Sequence, residues 1–198
     1  MISAFFDIVA GEGKGRRMVG REELVQAFGP DGTVAMDYKE ALGIGLSEVD
    51  ALIVSHVGLP RHVGPTFTTE IVGSPPLFAV RNFSDDGANK ALILGGPSDD
   101  ERMRYFLNVR DGFVGLVAFY EEPQGEIVNS TLSDFVEFVY RIGIRDLTPE
   151  PESASARRAE TEELASLLVE RDPFAFAEPD NWWSMVIAQI RESAEHRP

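Results

Sequence analysis

The sequence predicts an α+β fold, in which an antiparallel β-meander sheet is packed by N-terminal and C-terminal helices in a single domain. Three observations predict it. Apolar residues have helical spacing before residue 60 and again after residue 131. Between residues 77 and 130, short runs rich in aromatic and β-branched residues alternate with turn sequences. Strand–helix–strand alternation is missing, which argues against a doubly wound parallel sheet and its nucleotide sites.

The first third of the chain predicts a loose N-terminal segment followed by helices. Three glycines within residues 11–15 favour a flexible segment over residues 1–20, and one domain follows over residues 21–198. Helical spacing predicts a helix over residues 21–28, which Gly29-Pro30 ends. A second helix is expected over residues 47–57, with Ser47 as its N-cap, Gly58 as a left-handed C-cap and Pro60 blocking continuation.

The middle third predicts five short strands. The first four cover residues 78–80, 91–94, 104–110 and 113–120, and the last covers residues 126–129. Asp111-Gly112 between the third and fourth strands is typical of a two-residue type I′ turn, because both residues tolerate positive φ. Consecutive strands joined by short turns give an antiparallel meander.

The last third is helical again. Thr131 caps a helix with Asp134 three residues on, and apolar residues on more than one side predict that this helix is sandwiched. Two further helices are expected over residues 160–171 and 181–194, each with one apolar stripe. Trp183 lies on the stripe of the last helix and is expected in the core. Trp182 is expected to be partly exposed, as an anchor for an interface.

Composition narrows the classes of function. The 198 residues contain 18 Lys+Arg and 33 Asp+Glu, a net charge of −15. Such an excess repels polyanions, which argues against nucleic acid or a membrane as a direct ligand and favours a basic protein partner. The chain has no cysteine, which excludes thiolate nucleophiles, redox dithiols and Cys-built zinc sites. No export signal is recognised, because Asp7 interrupts the apolar start and the basic residues follow it, so the cytoplasm is the expected location.

No catalytic or metal motif is convincing. Gly13-Lys14 lacks the first glycine and the hydroxyl residue of a phosphate loop. A nucleophile elbow is also missing. His56 and His62 share no helical face, and we interpret His56 as a helix-terminal residue interacting with the last carbonyls and His62 as a loop residue. We expect neither a metal nor a cofactor.

Acidic residues recur in the turns of the meander. They are Asp85, Asp86, Asp99, Asp100, Glu101, Glu121 and Glu122. Solubility and turn chemistry account for acids at such positions. Two other interpretations remain open. Two of the carboxyl groups could serve a hydrolase, or the acids could form a negative face that binds a basic protein.

An ordered set of turn, cap and core features runs through about residues 21–190. These features are Val57-Gly58-Leu59-Pro60, Asn108-Val109-Arg110-Asp111-Gly112, Val128-Asn129-Ser130-Thr131-Leu132 leading into Phe135, Asp172-Pro173 and Trp182-Trp183. In their order, they resemble the SUKH superfamily of bacterial immunity proteins, and within it the fourth SUKH group.

The resemblance implies a non-enzymatic protein that neutralises a toxin, often a nuclease or a nucleic-acid deaminase. It supplies no catalytic residues. The matching residues Gly58, Leu59, Pro60, Asp111, Gly112, Asn129 and Ser130 are expected to build the scaffold. Of these, Asn129 and Ser130 are expected to satisfy backbone groups at the start of a helix.

Three hypotheses follow. The first is a cytoplasmic immunity protein that docks on a basic toxin of a polymorphic toxin system through the seven turn acids and Trp182. The second is a carboxylate-dependent hydrolase that uses two of those acids. The third is a regulatory adaptor that senses a small molecule.

Overall fold

Helices lie toward both ends of the chain and strands in its middle. The structure is a computed structural model that describes residues 17–83, 89–121 and 124–196. The helices are α1 (Arg21–Phe28), α2 (Tyr38–Ile44), α3 (Glu48–Leu52), α4 (Leu132–Leu147), α5 (Ala154–Arg171) and α6 (Trp182–His196). The strands are β1 (Thr33–Val34), β2 (Leu59–Pro60), β3 (His62–Val63), β4 (Phe67–Thr68), β5 (Val80–Asn82), β6 (Lys90–Gly95), β7 (Met103–Asn108), β8 (Val114–Ala118) and β9 (Gln124–Asn129).

The main sheet is a meander. Its five strands are hydrogen-bonded in the order β5-β6-β7-β8-β9, and each pair is antiparallel. Two small antiparallel pairs, β1-β2 and β3-β4, precede it. This architecture confirms the predicted α+β class with helices on either side of the meander in sequence.

The core lies between the sheet and α4. Phe135 of α4 packs on Tyr105 of β7, with ring centroids 5.0 Å apart, and Phe138 packs on the fully buried Trp183 at 5.3 Å. On another side of α4, Gly143 approaches the ring of Phe28 so closely that a Cβ would fall 2.5 Å from Phe28 Cζ. These contacts confirm the prediction that the helix after Thr131 is sandwiched.

The start of the second predicted helix is confirmed and its end is different. The Ser47 hydroxyl accepts a hydrogen bond from the Asp50 amide at 3.1 Å. The α-helix ends at Leu52 and Ile53–Val57 continue as a π-helix. Gly58 has φ 84° and ψ −172°, so it is not the predicted left-handed helical cap. The glycine is required there because a Cβ would lie 2.7 Å from the Val34 carbonyl oxygen of β1.

The predicted two-residue turn at Asp111-Gly112 is wrong. Strand β7 ends at Asn108 and strand β8 begins at Val114, so five residues connect them. The Asn108 side chain accepts hydrogen bonds from the amides of Arg110 and Asp111 at 3.0 and 2.8 Å, which forms the wider turn. Gly112 has φ 75°, but Asp111 is not among the residues with positive φ, and a type I′ turn needs both.

The structure contains more helix than the sequence predicts. Helix α5 begins at Ala154, before the predicted start at residue 160, because Ser153 caps it through the Ala156 amide. Helix α2 was not predicted at all.

Within the segment expected to be flexible, residues 1–16 lie outside the described residues. Val19 is buried and its amide donates to Glu137 Oε2 of α4 at 2.8 Å.

Candidate functional site

Two turns meet at one end of the main sheet. The β6–β7 turn carries Asp99, Asp100 and Glu101, and the turn after β8 carries Glu121. Alternate turns of a meander lie at the same end of the sheet. The Tyr120 hydroxyl joins the two turns by donating a hydrogen bond to Asp100 Oδ2 at 2.5 Å. We call these four carboxylates, Asp99, Asp100, Glu101 and Glu121, the acidic end.

Asp100 holds the acidic end together. It also accepts a hydrogen bond from the Arg102 amide at 2.9 Å, while the Arg102 guanidinium lies 4.3 Å from the centre of the Tyr120 ring. The hydrogen bond from Tyr120 is the main cause that lowers the pKa of Asp100, and the hydrogen bond from the Arg102 amide is the next. The Tyr120–Asp100 hydrogen bond also raises the pKa of Tyr120. Asp100 therefore keeps its charge while serving as an internal partner.

The other three carboxylates point to solvent. Asp99, Glu101 and Glu121 are exposed, and none of them forms a salt bridge within the described residues. The electrostatic field of these three groups is available to a partner. This exposure does not resemble an enclosed site with two coupled carboxyl groups, which the hydrolase hypothesis needs.

A buried arginine positions the β6–β7 turn. Arg104 of β7 is 1% exposed, and its guanidinium donates to the carbonyls of Glu101 at 2.7 Å and Met103 at 2.8 Å. It also donates to the carbonyls of Val72 at 2.6 Å and Pro75 at 3.1 Å. Burial lowers the pKa of Arg104, although the Glu101 and Asp100 charges oppose this. Sequence reasoning missed Arg104, and a lone arginine in an otherwise apolar strand is the signal that could have found it.

Trp182, at the start of α6, is only half-buried. Its amide donates to Glu126 Oε1 at 3.0 Å, and its ring meets Tyr105 edge-on at 6.1 Å. Burial raises the pKa of Tyr105, an effect that the Trp182 side chain partly offsets and the charge of Asp99 reinforces. Burial also raises the pKa of Glu126. The expected division holds, with Trp183 in the core and Trp182 partly exposed.

Asp85, Asp86 and Glu122 lie outside the part of the chain that the structure describes. Phe83 and Asn89, which flank the first two, pair through Phe83 N and Asn89 O at 3.0 Å. That pair continues β5 and β6 toward the β7–β8 turn, at the end of the sheet opposite Asp99.

Asn129 and Ser130 belong to a buried polar network. Asp172 accepts hydrogen bonds from Asn129 Nδ2 at 3.1 Å, Ser130 N at 2.8 Å and Ser130 Oγ at 2.8 Å. The Trp183 indole donates to Asn129 Oδ1 at 2.9 Å. The cap of α4 is Thr131, through the Asp134 amide at 3.1 Å, so the expectation that Asn129 and Ser130 satisfy the helix start is wrong.

The other residues expected in the scaffold make internal contacts. Leu59 and Pro60 pair with Val34 and Thr33 of β1, and Leu59 is 1% exposed. The Gly112 amide donates to the Asn108 carbonyl at 3.0 Å. Asp111 is exposed, with its amide bound to Asn108.

The histidines His56 and His62 make contacts within the fold. His56 Nδ1 lies 2.8 Å from Ser55 Oγ, and its ring packs on Tyr38 at 5.5 Å; these are different contacts from the helix-end carbonyls that were expected. His62 pairs with Thr68 in the short β3-β4 ladder. In residues 17–83, 89–121 and 124–196, no three His, Asp or Glu side chains are grouped to hold a metal ion. None of the helices in those ranges has the length and hydropathy to cross a membrane.

A small cleft lies between α5 and α6. Its volume is about 40 Å³ and it is lined by Arg158, Thr161, Glu162, Arg191, Ala194 and Glu195. Arg191 and Glu162 are 2.7 Å apart across it, and Arg158 and Glu195 are 2.6 Å apart. Pockets for small molecules have volumes of roughly 300–1,000 Å³, so this cleft does not support the sensor hypothesis.

The fold is a mixed α+β domain, and its acidic end carries three exposed carboxylates. A family model described as SUKH-4 immunity protein matches residues 19–189. Because the match covers most of the chain, the chain belongs to the SUKH-4 immunity protein family. The match confirms the resemblance seen in the sequence. Among curated proteins and solved structures, none matches this chain.

Proposed function

We propose that this chain is a cytoplasmic immunity protein that binds and neutralises a basic, nucleic-acid-processing toxin through its acidic end. The family supplies immunity to a toxin as the class of function. The observation that carries the finer proposal is the convergence of Asp99, Glu101 and Glu121, all exposed, at one end of the sheet. The partner follows from the chemistry of these groups.

The charge of this surface favours a nuclease or a nucleic-acid deaminase. Such enzymes need a positive surface to hold phosphates. A group of fixed carboxylates can occupy that surface in place of the nucleic acid, and complementary charge accelerates association by roughly 10- to 1,000-fold. The net charge of −15 also argues against direct binding of nucleic acid by this chain.

The contact surface that we propose extends beyond the three exposed carboxylates. Trp182 lies at its border through Tyr105, which feels the charge of Asp99. Glu122, which follows Glu121 in the sequence, is proposed as an additional contact at the acidic end. Asp85 and Asp86 are proposed as further contacts outside it, on the strength of their sequence positions. Asp100 acts mainly by holding the two turns together.

Co-expression tests this function. The chain would be produced together with the toxin module encoded by its neighbouring gene, with an unrelated acidic protein of similar charge as control. We expect the chain to co-purify with the toxin module and to protect the cells, and the control protein to do neither. A chain that forms no complex and gives no protection contradicts the proposal.

A further inference from the structure

The face of the sheet away from α4 carries an aromatic cluster. Tyr105 and Leu107 of β7 belong to the core, so Phe106 between them lies on the other face. Its ring covers Gly115 of β8, because a Cβ at that glycine would fall 2.4 Å from Phe106 Cζ. The glycine therefore makes room for an aromatic ring on the outer face.

Neighbouring side chains extend this cluster. Phe83 lies 5.1 Å from Phe106 and 6.5 Å from Phe119, measured between ring centroids. Ile127 of β9 pairs with Gly115 and lies on the same face. Phe83, Phe119 and Ile127 are 41%, 37% and 40% exposed. We call these four residues, Phe83, Phe106, Phe119 and Ile127, the outer-face patch.

The patch adjoins the acidic end. Phe119 directly precedes Tyr120, whose hydroxyl binds Asp100, and the Phe119 amide donates to the Arg102 carbonyl at 2.9 Å. Aromatic residues at the centre and charged residues at the rim are the usual anatomy of a protein interface. Scattered exposed apolar residues need no explanation, but exposed aromatic residues in mutual contact do.

We propose that the outer-face patch is the energetic centre of the toxin interface, and that it receives an apolar surface of the toxin bordered by basic residues. This inference rests on the proposed function. Charge complementarity selects this occupant, because the rim carries Asp99, Glu101 and Glu121. A second copy of the chain would bring two acidic rims together at a net charge of −15 each, which opposes self-association.

Alanine variants of exposed patch residues test the inference. Phe83→Ala and Phe119→Ala each remove an exposed ring, and Ile127→Gln is a further variant in case either alanine variant fails to fold. The probe is the purified toxin module of the neighbouring gene. We expect each variant to weaken binding by about 30-fold, the size of an interface hot spot. Leu167→Ala and Met185→Ala remove side chains that are 44% and 47% exposed on α5 and α6 and should leave binding unchanged.

The outcomes separate this inference from the proposed function. If the wild-type chain binds the toxin and the patch variants bind as well as the two control variants, the inference is overturned and the proposed function stands. If the wild-type chain is dimeric by sedimentation and Phe119→Ala makes it monomeric, a second copy occupies the patch and the inference is overturned. A wild-type chain that neither binds nor protects contradicts both.

Discussion

Arg104 shows how one residue can shape a surface that it does not join. Its guanidinium is buried and donates to backbone carbonyls, two of which belong to Glu101 in the β6–β7 turn and to Met103 at the start of β7. The Glu101 carbonyl binds this guanidinium, while the Glu101 side chain is exposed to solvent. The buried cation thus fixes the backbone beneath the acidic end.

We predict that Arg104→Met destabilises the protein by about 3 kcal/mol, since it removes the donor to four backbone carbonyls. The matched variant is Arg102→Met, which removes a guanidinium from a side chain that is 65% exposed. That variant should change the free energy of unfolding by less than about 0.5 kcal/mol. Urea denaturation measures both, and equal losses would contradict the role assigned to Arg104.

A second prediction concerns Asp100. Because its pKa in the folded protein is lowered, its contribution to stability is present above the ordinary pKa of aspartate and is lost as the pH falls through the folded value. Tyr120→Phe removes the main cause of the shift, so the pKa of Asp100 should rise toward its ordinary value. Carboxyl ¹³C NMR titration measures this, with Tyr38→Phe as the control. An unchanged pKa would show that the Tyr120 hydrogen bond is not the cause.

Among the elements, the junction between β9 and α4 depends on Asp172. This carboxylate is 3% exposed and binds both Asn129 and Ser130, which it ties to the end of α5. The family markers around Asn129, Asp172 and Trp183 therefore meet in one network. Their shared task is structural.

Asp172→Ala should lower the free energy of unfolding by about 3 kcal/mol, because the buried Asn129 amide and the Ser130 donors lose their hydrogen-bond acceptor. Asp180→Ala removes an exposed aspartate nearby and should cost less than about 0.5 kcal/mol. Thermal unfolding followed by circular dichroism compares the two. A small loss for Asp172→Ala would mean that the network does not hold the junction.

Two helical glycines give opposite predictions. Nothing lies within 4 Å of a Cβ built on Gly43 in α2, so Gly43→Ala should stabilise the protein by about 0.5–1 kcal/mol. A Cβ on Gly143 in α4 would meet the Phe28 ring at 2.5 Å, so Gly143→Ala should destabilise by about 1–3 kcal/mol. Chemical denaturation of both variants checks the signs, and the same sign for both would contradict the packing described here.

Local signals in the sequence were sufficient for the caps at Ser47 and Thr131 and for the order of the strands. They were insufficient where the local structure depends on a residue distant in the sequence or on a side-chain hydrogen bond. Helix α2 has only seven residues and one buried residue, Ala41, so it has no apolar stripe to reveal it. The Asn108 side chain replaced the expected turn with a wider one. The contact of Arg104 with Val72 spans 32 residues, and no periodicity encodes it.

Over the whole molecule, several ion pairs join charged residues of α4, α5 and α6, whereas three carboxylates of the acidic end are exposed. Arg141, Arg158, Arg171 and Arg191 pair with Glu137, Glu195, Asp134 and Glu162 on α4, α5 and α6. The exposed carboxylates of the acidic end lack such partners within the described residues. Under the proposed function, we expect a basic partner to be attracted toward this end of the sheet.

The most direct measurement of this claim is the association rate of the toxin module with two triple variants. Asp99→Asn, Glu101→Gln and Glu121→Gln neutralise the acidic end. Glu152→Gln, Glu160→Gln and Glu163→Gln remove the same total charge from exposed positions at α5. At low ionic strength, we expect the first triple variant to associate about tenfold more slowly than the wild-type chain and with weaker salt dependence, and the second to stay close to it. Equal rates for the two triple variants would contradict the assignment of the acidic end as the docking surface.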